Sequence, residues 1–449
     1  MKVTSSYKIE FDTSRSNKIL IQNTAKIYRS VVAFCVRVFD LYWDTLSTLD
    51  KNNQNNLCNR IIHSTKSNEA LYPEFDEKFI NFPQGLRKSA VQDALAILSQ
   101  HHTRLLQGKK STLKFNHIAF PLFYSSEGCI SYGKGLEVKI KVFKDNSWQF
   151  ISIRLKRTDL IQYIRKRRTS TKSTTNARLH IRQGKYSLIY VLEKQVKYNT
   201  KSIKNQRVLG VDLGINNDAV CSILTSDGTI HGRKFINFLY EKDQLRRILL
   251  KVKSNQRKYK GGNNVEKLWR EFSNKTNNHT ILITRAIIQY ALENKVDVIV
   301  LEHLNLRSSL HRKKRYSKNF REKLQYWRAR TLINRIKYQA QLHGIRVSTI
   351  NPNGTSKYAY DGSGEVKRSK TNYSLCEFNS TIEGQRGKQY NADLNASYNI
   401  GARYFLRYLR EKYSTQPQVQ AKVPGLMQVK ISTLLTLIQA NKYLSFDVG

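Results

Sequence analysis

Residues 296–301 read VDVIVL, a nearly continuous apolar run of strand length. A strand that is apolar on both faces has to be covered on both, so it belongs in a sheet sandwiched between helices. The run VLGVDLGI (208–215) is a second buried strand, and DAVCSILT (218–225) and TIHGRKFI (229–236) continue from it as a meander. Helical patterns over 239–258 and 265–295 lie between this meander and VDVIVL. A further helix is expected over 321–343, then a strand over 345–350 ended by Pro352, and a last helix through NADLNASYNIGARYFLRYL (391–409). From residue 207 onward the expectation is therefore a mixed α/β sheet protein.

The first 205 residues follow a different pattern. A strand at 7–11 precedes Ile27, Val31, Phe34, Val38 and Leu41, which recur at steps of four and three along one helical face. A second helix begins near Pro83 and carries Leu86, Ala90, Ala94, Leu98 and Leu105 on one side, with His101 and His102 read as surface residues near its end. The period then changes to two. Val138, Ile140 and Val142 lead into Asp145-Asn146, and Leu179 and Ile181 lead into Gln183-Gly184, two hairpins separated by a solvated basic connection. This half reads as a β-barrel-like unit with a helical insert.

Charge narrows the function. With 78 Lys+Arg against 33 Asp+Glu the net charge is +45, an excess that repels itself unless a polyanion neutralises it. Nucleic acid is the natural partner, and binding driven by counter-ion release weakens as salt rises. A ribosomal-type scaffold and a membrane-surface binder are the competing readings of the charge alone. The 25 Tyr and 18 Phe supply faces on which unpaired bases can stack, although most of them must serve the core. No apolar run reaches the length of a membrane span, and the start MKVTSSYKIEFDT lacks a signal-peptide core, so a cytoplasmic protein is expected. Five scattered cysteines without a C-x-x-C suggest neither a disulfide framework nor a complete zinc site.

An acid inside an apolar strand needs a partner, because burying an unpaired carboxylate is costly. Asp212 sits within GVDLG, Glu302 directly follows VDVIVL, and Asp393 opens the last helix, where the dipole favours an anion. Each has an ordinary explanation by itself: a turn cap, a strand-end surface residue, a helix N-terminal residue. Three such acids converging from distant segments would repel one another unless cations lie between them. Magnesium prefers hard oxygen ligands, so the trio fits a site with two such ions, one activating water and one stabilising the leaving oxygen.

GVDLGINNDAV, VIVLEHLNL and NADLNASYNI resemble, in order and spacing, the three RuvC motifs of the transposon-encoded nuclease TnpB and of the compact type V CRISPR effectors similar to it. The resemblance is strong over about 207–410 and only architectural upstream. It implies a multidomain α+β protein. An RNase H-like (RuvC) nuclease domain would occupy 206–354 and 391–411. A wedge β-barrel would occupy 1–20 and 126–205, with a helical recognition domain at 21–125. A degenerate zinc-ribbon-like, target nucleic-acid-binding insert would fill 355–390, and a C-terminal tail of unknown role 412–449. It also implies Asp212, Glu302 and Asp393 as catalytic, magnesium-holding residues, a guide RNA, and a double-stranded DNA target with one strand displaced and a short flanking motif beside it. Asn395 and Asn399 belong to the third motif and are read as structural.

One part of the family pattern is missing. The ribbon's T-S-x-x-C-x-x-C-G appears here as GTSKYAYDG, with Ala359 and Gly362 at ligand positions, and the later pair is reduced to Cys376 and Asn379. One thiolate cannot make a four-coordinate site, so zinc is not expected and 358–390 should form a small basic β-like insert.

Basic segments complete the reading. Arg307, Arg312, Lys313, Lys314, Arg315, Lys318 and Arg321 follow Glu302 closely and are candidates for guiding a single strand. Arg165, Lys166, Arg167 and Arg168, together with 251–260, are candidate phosphate contacts. Two other functions remain open at this point: an RNA-guided DNA binder that does not cut, and a guide-independent transposase or resolvase of the same fold. A homodimer is open too, since the helical insert is short for enclosing a whole heteroduplex.

Overall fold

The computed structural model describes residues 2–113, 120–133, 135–156, 176–198, 201–258, 264–303, 327–369, 372, 374–380, 387–414, 416, 422–423 and 425–446. The chain divides into two compact units, 2–194 and 195–449.

In the first unit, β1 (Lys2–Asp12) is followed by helices α1 (Arg15–Leu41), α2 (Trp43–Thr48), α3 (Lys51–Ile62), α4 (Glu74–Lys78) and α5 (Gln84–Leu106). Strands β2 (Leu122–Phe123), β3 (Ile130–Tyr132), β4 (Glu137–Lys144), β5 (Ser147–Leu155), β6 (Ala177–Arg182) and β7 (Lys185–Gln195) complete a seven-stranded sheet in the order β2-β6-β7-β1-β5-β4-β3. Both hairpins expected from the sequence form. Asp145 and Asn146 take φ of 45° and 56°, and Gln183 and Gly184 take 50° and 71°. Two successive positive φ values match the twist of the flanking strands, and Asn and Gly tolerate them. The helices carry the expected apolar stripes, but two residues assigned to them are misplaced: Leu41 is 74% exposed and Leu105 is 46% exposed. Both lie in the last turn of their helix, where the core no longer reaches. The hydroxyl of Tyr28 in α1 lies 2.6 Å from Ser89 Oγ and donates to Asp93 Oδ2 at 2.8 Å, while Arg178 of β6 grips Asp93 through both carboxylate oxygens. A buried polar clamp thus fixes two helices against the sheet. His102 is more engaged than a surface residue: Nε2 meets Asp40 Oδ1 at 2.9 Å and the ring stacks on Trp43 at 5.0 Å.

The second unit is built on β8 (Val208–Asp212), β9 (Ala219–Leu224), β10 (Ile230–Ile236), β11 (Val298–Glu302) and β12 (Arg346–Ile350), in the order β10-β9-β8-β11-β12. β8 to β10 pair antiparallel, whereas β8, β11 and β12 are parallel. The helices are α6 (Leu239–Lys258), α7 (Asn264–Glu293), α8 (Ala329–Leu342), α9 (Ala392–Tyr413) and α10 (Leu434–Tyr443). Side chains alternate across a strand, and the two faces are covered by different helices. Leu209, Val211, Ile299 and Leu301 pack with Ile283, Ile287 and Ala291 of α7 and with Leu332 and Ile336 of α8. Val208, Val298 and Val300 pack instead with Leu394, Tyr398 and Phe405 of α9.

Two expectations for this unit need correction. The stretch from 412 on is not a detached tail. Helix α9 continues to Tyr413, and Val423, Leu426, Leu434, Leu437, Ala440 and Phe446 are buried in the same core as α9. The helix there, α10, is ten residues long and opens on Thr433, which forms a capping box with Thr436. The helix expected over 321–343 begins, among the described residues, at Ala329. The insert does form strands: β13 (Lys367–Arg368), β14 (Leu375–Glu377) and β15 (Gln389–Asn391) make a three-stranded sheet. Among the described residues no helix is long and apolar enough to cross a membrane.

Candidate active site

Strands β8 and β11 each run as four buried residues followed by one partly exposed residue, and that fifth residue is Asp212 in one and Glu302 in the other. Their parallel register pairs Leu301 with Val211, so the next two residues stand level on adjacent strands, whose spacing is about 4.8 Å. Parity then decides which way they point. Asp212 shares a face with Val208, and Glu302 with Val298 and Val300, the face covered by α9.

Asp393 is the second residue of α9, in a first turn capped by Asn391, whose side chain accepts from Leu394 N at 2.9 Å. Asp393, Ser397 and Gly401 are spaced by four and share one side of the helix. That side lies against β8 at Gly210, where an added Cβ would fall 2.3 Å from Ser397 O and 2.8 Å from Gly401 N. The glycine crossing lets the helix come so close that its first turn reaches the strand end two residues further on. Asp212 and Glu302 thus stand at neighbouring strand ends, and the charge of Asp393 reaches Asp212.

Burial, and then the charges of Glu302 and Asp393, push the Asp212 carboxyl well above the ordinary carboxylate range, with the Arg368 charge opposing. Asp212 keeps some exposed surface, but its carboxyl group is sunk below the strand end. Burial also raises Glu302, against the Thr355 hydroxyl and the charge of Arg403. Two of the three carboxylates are held by neutral donors. Thr355 Oγ1 donates to Glu302 Oε1, and Asn217 Nδ2 donates to Asp393 Oδ2 at 2.9 Å. No three Asp, Glu, His or Cys side chains among the described residues gather closely enough to hold one ion together. The donor set still suits hard divalent cations, because a two-ion site asks each ion to take only one or two carboxylates, with water and phosphate oxygens supplying the rest.

A second stripe on α9, Asn395, Asn399 and Arg403, fixes the surroundings. Asn395 accepts from Tyr360 N and donates to Tyr358 O, and Asn399 donates to Thr355 O and Tyr358 O and accepts from Leu434 N. Arg403 is 4% exposed and donates to four backbone carbonyls, those of Asn351, Asn353, Lys430 and Ser432. The loop that carries Thr355 is thereby tied to α9 and to the segment before α10. Asn217, Thr355 and Arg403 were not singled out for the site from the sequence. For Arg403 a signal existed: a charged residue four and eight positions from two asparagines, flanked by the apolar residues Ile400, Ala402, Phe405 and Leu406. Asn217 gives no such signal, since it reads as one more turn residue.

Buried Asp297 illustrates the opposite case. Its carboxylate pairs with Lys201 Nζ at 3.1 Å and accepts from Arg207 N at 2.9 Å, which accounts for it structurally. At the four ribbon positions, Ala359 and Cys376 are 1% exposed in an apolar cluster with Phe378, and Asn379 donates to Ser363 O. Burial pushes the Cys376 thiol up to about 11, so the single sulfur present is a poor metal ligand, and the residues do not fit zinc. Arg165, Lys166, Arg167, Arg168, Arg307, Arg312, Lys313, Lys314, Arg315, Lys318 and Arg321 lie outside the described residues.

Residues 330–400 match the family model of the Cas12f1-like TNB domain, and residues 4–144 match the Aq_aa04 family. The TnpB-like protein aq_aa05 of Aquifex aeolicus is 29% identical over 266 residues, 56% of this chain and 84% of that protein. The TnpB-like protein MJ0751 of Methanocaldococcus jannaschii is 30% identical over 125 residues, 27% of this chain and 41% of that protein. Among solved structures, the mini-RNA-guided endonuclease CRISPR-Cas_phi3 is similar in fold, with a TM-score of 0.50 at 12% identity over 90% of this chain and 92% of that one. Fold and comparisons together define a multidomain mixed α/β protein. In sequence, the chain is similar to TnpB-like proteins, over 56% of its length in the first of them.

Proposed function

We propose that this protein is an RNA-guided DNA endonuclease that hydrolyses phosphodiesters in a single RuvC-like site, next to a short flanking motif. The observation that carries the reading is the level placement of Asp212 and Glu302 on neighbouring strands with Asp393 delivered over them by α9. The strand order, a three-stranded meander extended by two parallel strands, is that of an RNase H-like sheet and supports the nuclease assignment. Magnesium bound there would supply charge neutralisation and an activated water. Asp212, whose carboxyl feels both other acids, would hold the ions together with Glu302 and Asp393. Arg368 contributes positive charge beside Asp212, where a phosphate would arrive. The net charge of +45 suits a partner as anionic as a guide RNA with its DNA target, and base pairing would then choose the sequence.

The test is to express the full chain, sequence the RNA that co-purifies, and incubate the complex with matched DNA and magnesium. Cleavage that requires the matched guide and disappears in Asp212→Ala, with DNA binding retained, is the expected result. Tight binding without cleavage by the wild type, or cleavage indifferent to the guide, overturns the proposal.

A further inference from the structure

The turn between β8 and β9 connects the site to helices that carry none of its acids. Within it, Asn217 Nδ2 donates to Asp393 Oδ2 at 2.9 Å. A carboxylate only accepts, so the amide must present its NH2 here, and the contact engages the Oδ2 oxygen of Asp393. The next residue, Asp218, is 4% exposed and heavily anchored. Its Oδ2 accepts from Phe238 N at 2.8 Å and lies 3.2 Å from His279 Nε2 of α7, and its Oδ1 pairs with Lys242 Nζ of α6 at 3.1 Å. Lys242 also donates to Asn216 O at 2.6 Å and to Asn237 Oδ1 at 2.7 Å. Three consecutive residues of one turn are therefore bound in sequence: Asn216 and Asp218 by the α6–α7 hairpin, and Asn217, between them, to the third acid of the site.

We infer that Asn217 is a positioning residue that sets the rotamer of Asp393 for metal binding, and that Lys242 and His279 hold Asn217 in place through Asp218. This rests on the metal-site reading above and deepens it: the α6–α7 hairpin becomes part of the support of the site. Partners of this kind, one step removed from the ion, typically alter metal affinity by about 10–100-fold when removed.

The experiment measures Mn2+ binding to the full-length chain by electron paramagnetic resonance, with thermal melting as a check on folding. Asn217→Ala is expected to weaken Mn2+ binding by about 10-fold while the melting temperature holds, and Asn217→Ser, which keeps a donor, to recover part of the loss. Lys242→Met is expected to weaken binding in the same direction. In the double variant Asn217→Ala/Asp393→Ala the loss should equal that of Asp393→Ala alone, since Asn217 acts only through that carboxylate. Equal binding by wild type and Asn217→Ala, or additive losses in the double variant, overturns the inference and leaves the nuclease reading standing. A wild-type chain that binds Mn2+ no better than Asp212→Ala overturns the metal site itself, and this inference with it.

Discussion

Gly210 and Gly401 meet where α9 crosses β8: a Cβ built on Gly401 would lie 3.7 Å from Gly210 Cα, and one built on Gly210 would lie 2.8 Å from Gly401 N. Neither contact involves a side chain that can turn aside on the Gly210 side, where the obstacles are the backbone atoms of Ser397 and Gly401. The separation of helix and strand, and with it the reach of Asp393, is set by the absence of a methyl group.

Gly210→Ala is accordingly expected to destabilise the second unit by about 1–3 kcal/mol, the usual range for overpacking, and to lower metal-dependent cleavage more than a similar loss of stability would elsewhere. Urea unfolding gives the first quantity and single-turnover cleavage the second. A comparably destabilising change remote from the site, such as Leu437→Ala in α10, serves as the reference.

Truncation after residue 424 removes Leu426, Leu434, Leu437, Ala440 and Phe446 from the core under α9 and strips Arg403 of two of its four acceptors. Each apolar side chain of this size contributes about 1.5–3 kcal/mol on burial, so the loss exceeds what one domain can spare. The shortened chain should lose the cooperative melting of the second unit, seen by calorimetry. Arg403→Met should destabilise as well, because it removes the guanidinium from four backbone carbonyls, one of them, Ser432 O, buried.

The raised carboxyls of Asp212 and Glu302 make a pH prediction. The folded chain holds these protons more tightly than the unfolded chain does, so between the two pKa values stability falls as pH rises. The cost is absent below the unfolded value, about 4, and complete above the folded one. In chelator-treated protein, Asp212→Asn and Glu302→Gln should melt a few degrees above wild type near neutral pH, by roughly 2–4 °C per kcal/mol, and the difference should close towards about pH 4. Melting curves over that range check it, and variants that melt below wild type at neutral pH would contradict the burial argument.

The insert should hold no stoichiometric zinc. Elemental analysis of the purified chain checks this directly, and a zinc chelator should leave the melting temperature unchanged, because Ala359, Cys376 and Phe378 are packed together as an apolar core.

The sheet and its acids were legible because period and burial speak locally. VDVIVL and VLGVDLGI are strands by composition, and an acid at the end of each is conspicuous by its cost. The long helices were legible from their apolar stripes, although the last turns at Leu41 and Leu105 face solvent, since periodicity continues after the packing partner has ended. The role of the C-terminal segment was not legible. Leu434 and Leu437 look like any amphipathic turn until α9 is placed over them, and that placement depends on long-range contacts that a window of residues cannot contain. Asn217 was hidden for a different reason. Its hydrogen bond reaches 176 positions along the chain, to a partner fixed by the crossing of a helix over a strand.

The burial of residues 425–446 beneath α9 also orders the life of the chain during synthesis. The first unit is contiguous in sequence and can fold while the rest is still being translated. The core of the second unit starts with Val208 but closes with Phe446, 238 positions later. A ribosome must therefore deliver nearly all of that unit before Asp212, Glu302 and Asp393 are held by the finished core.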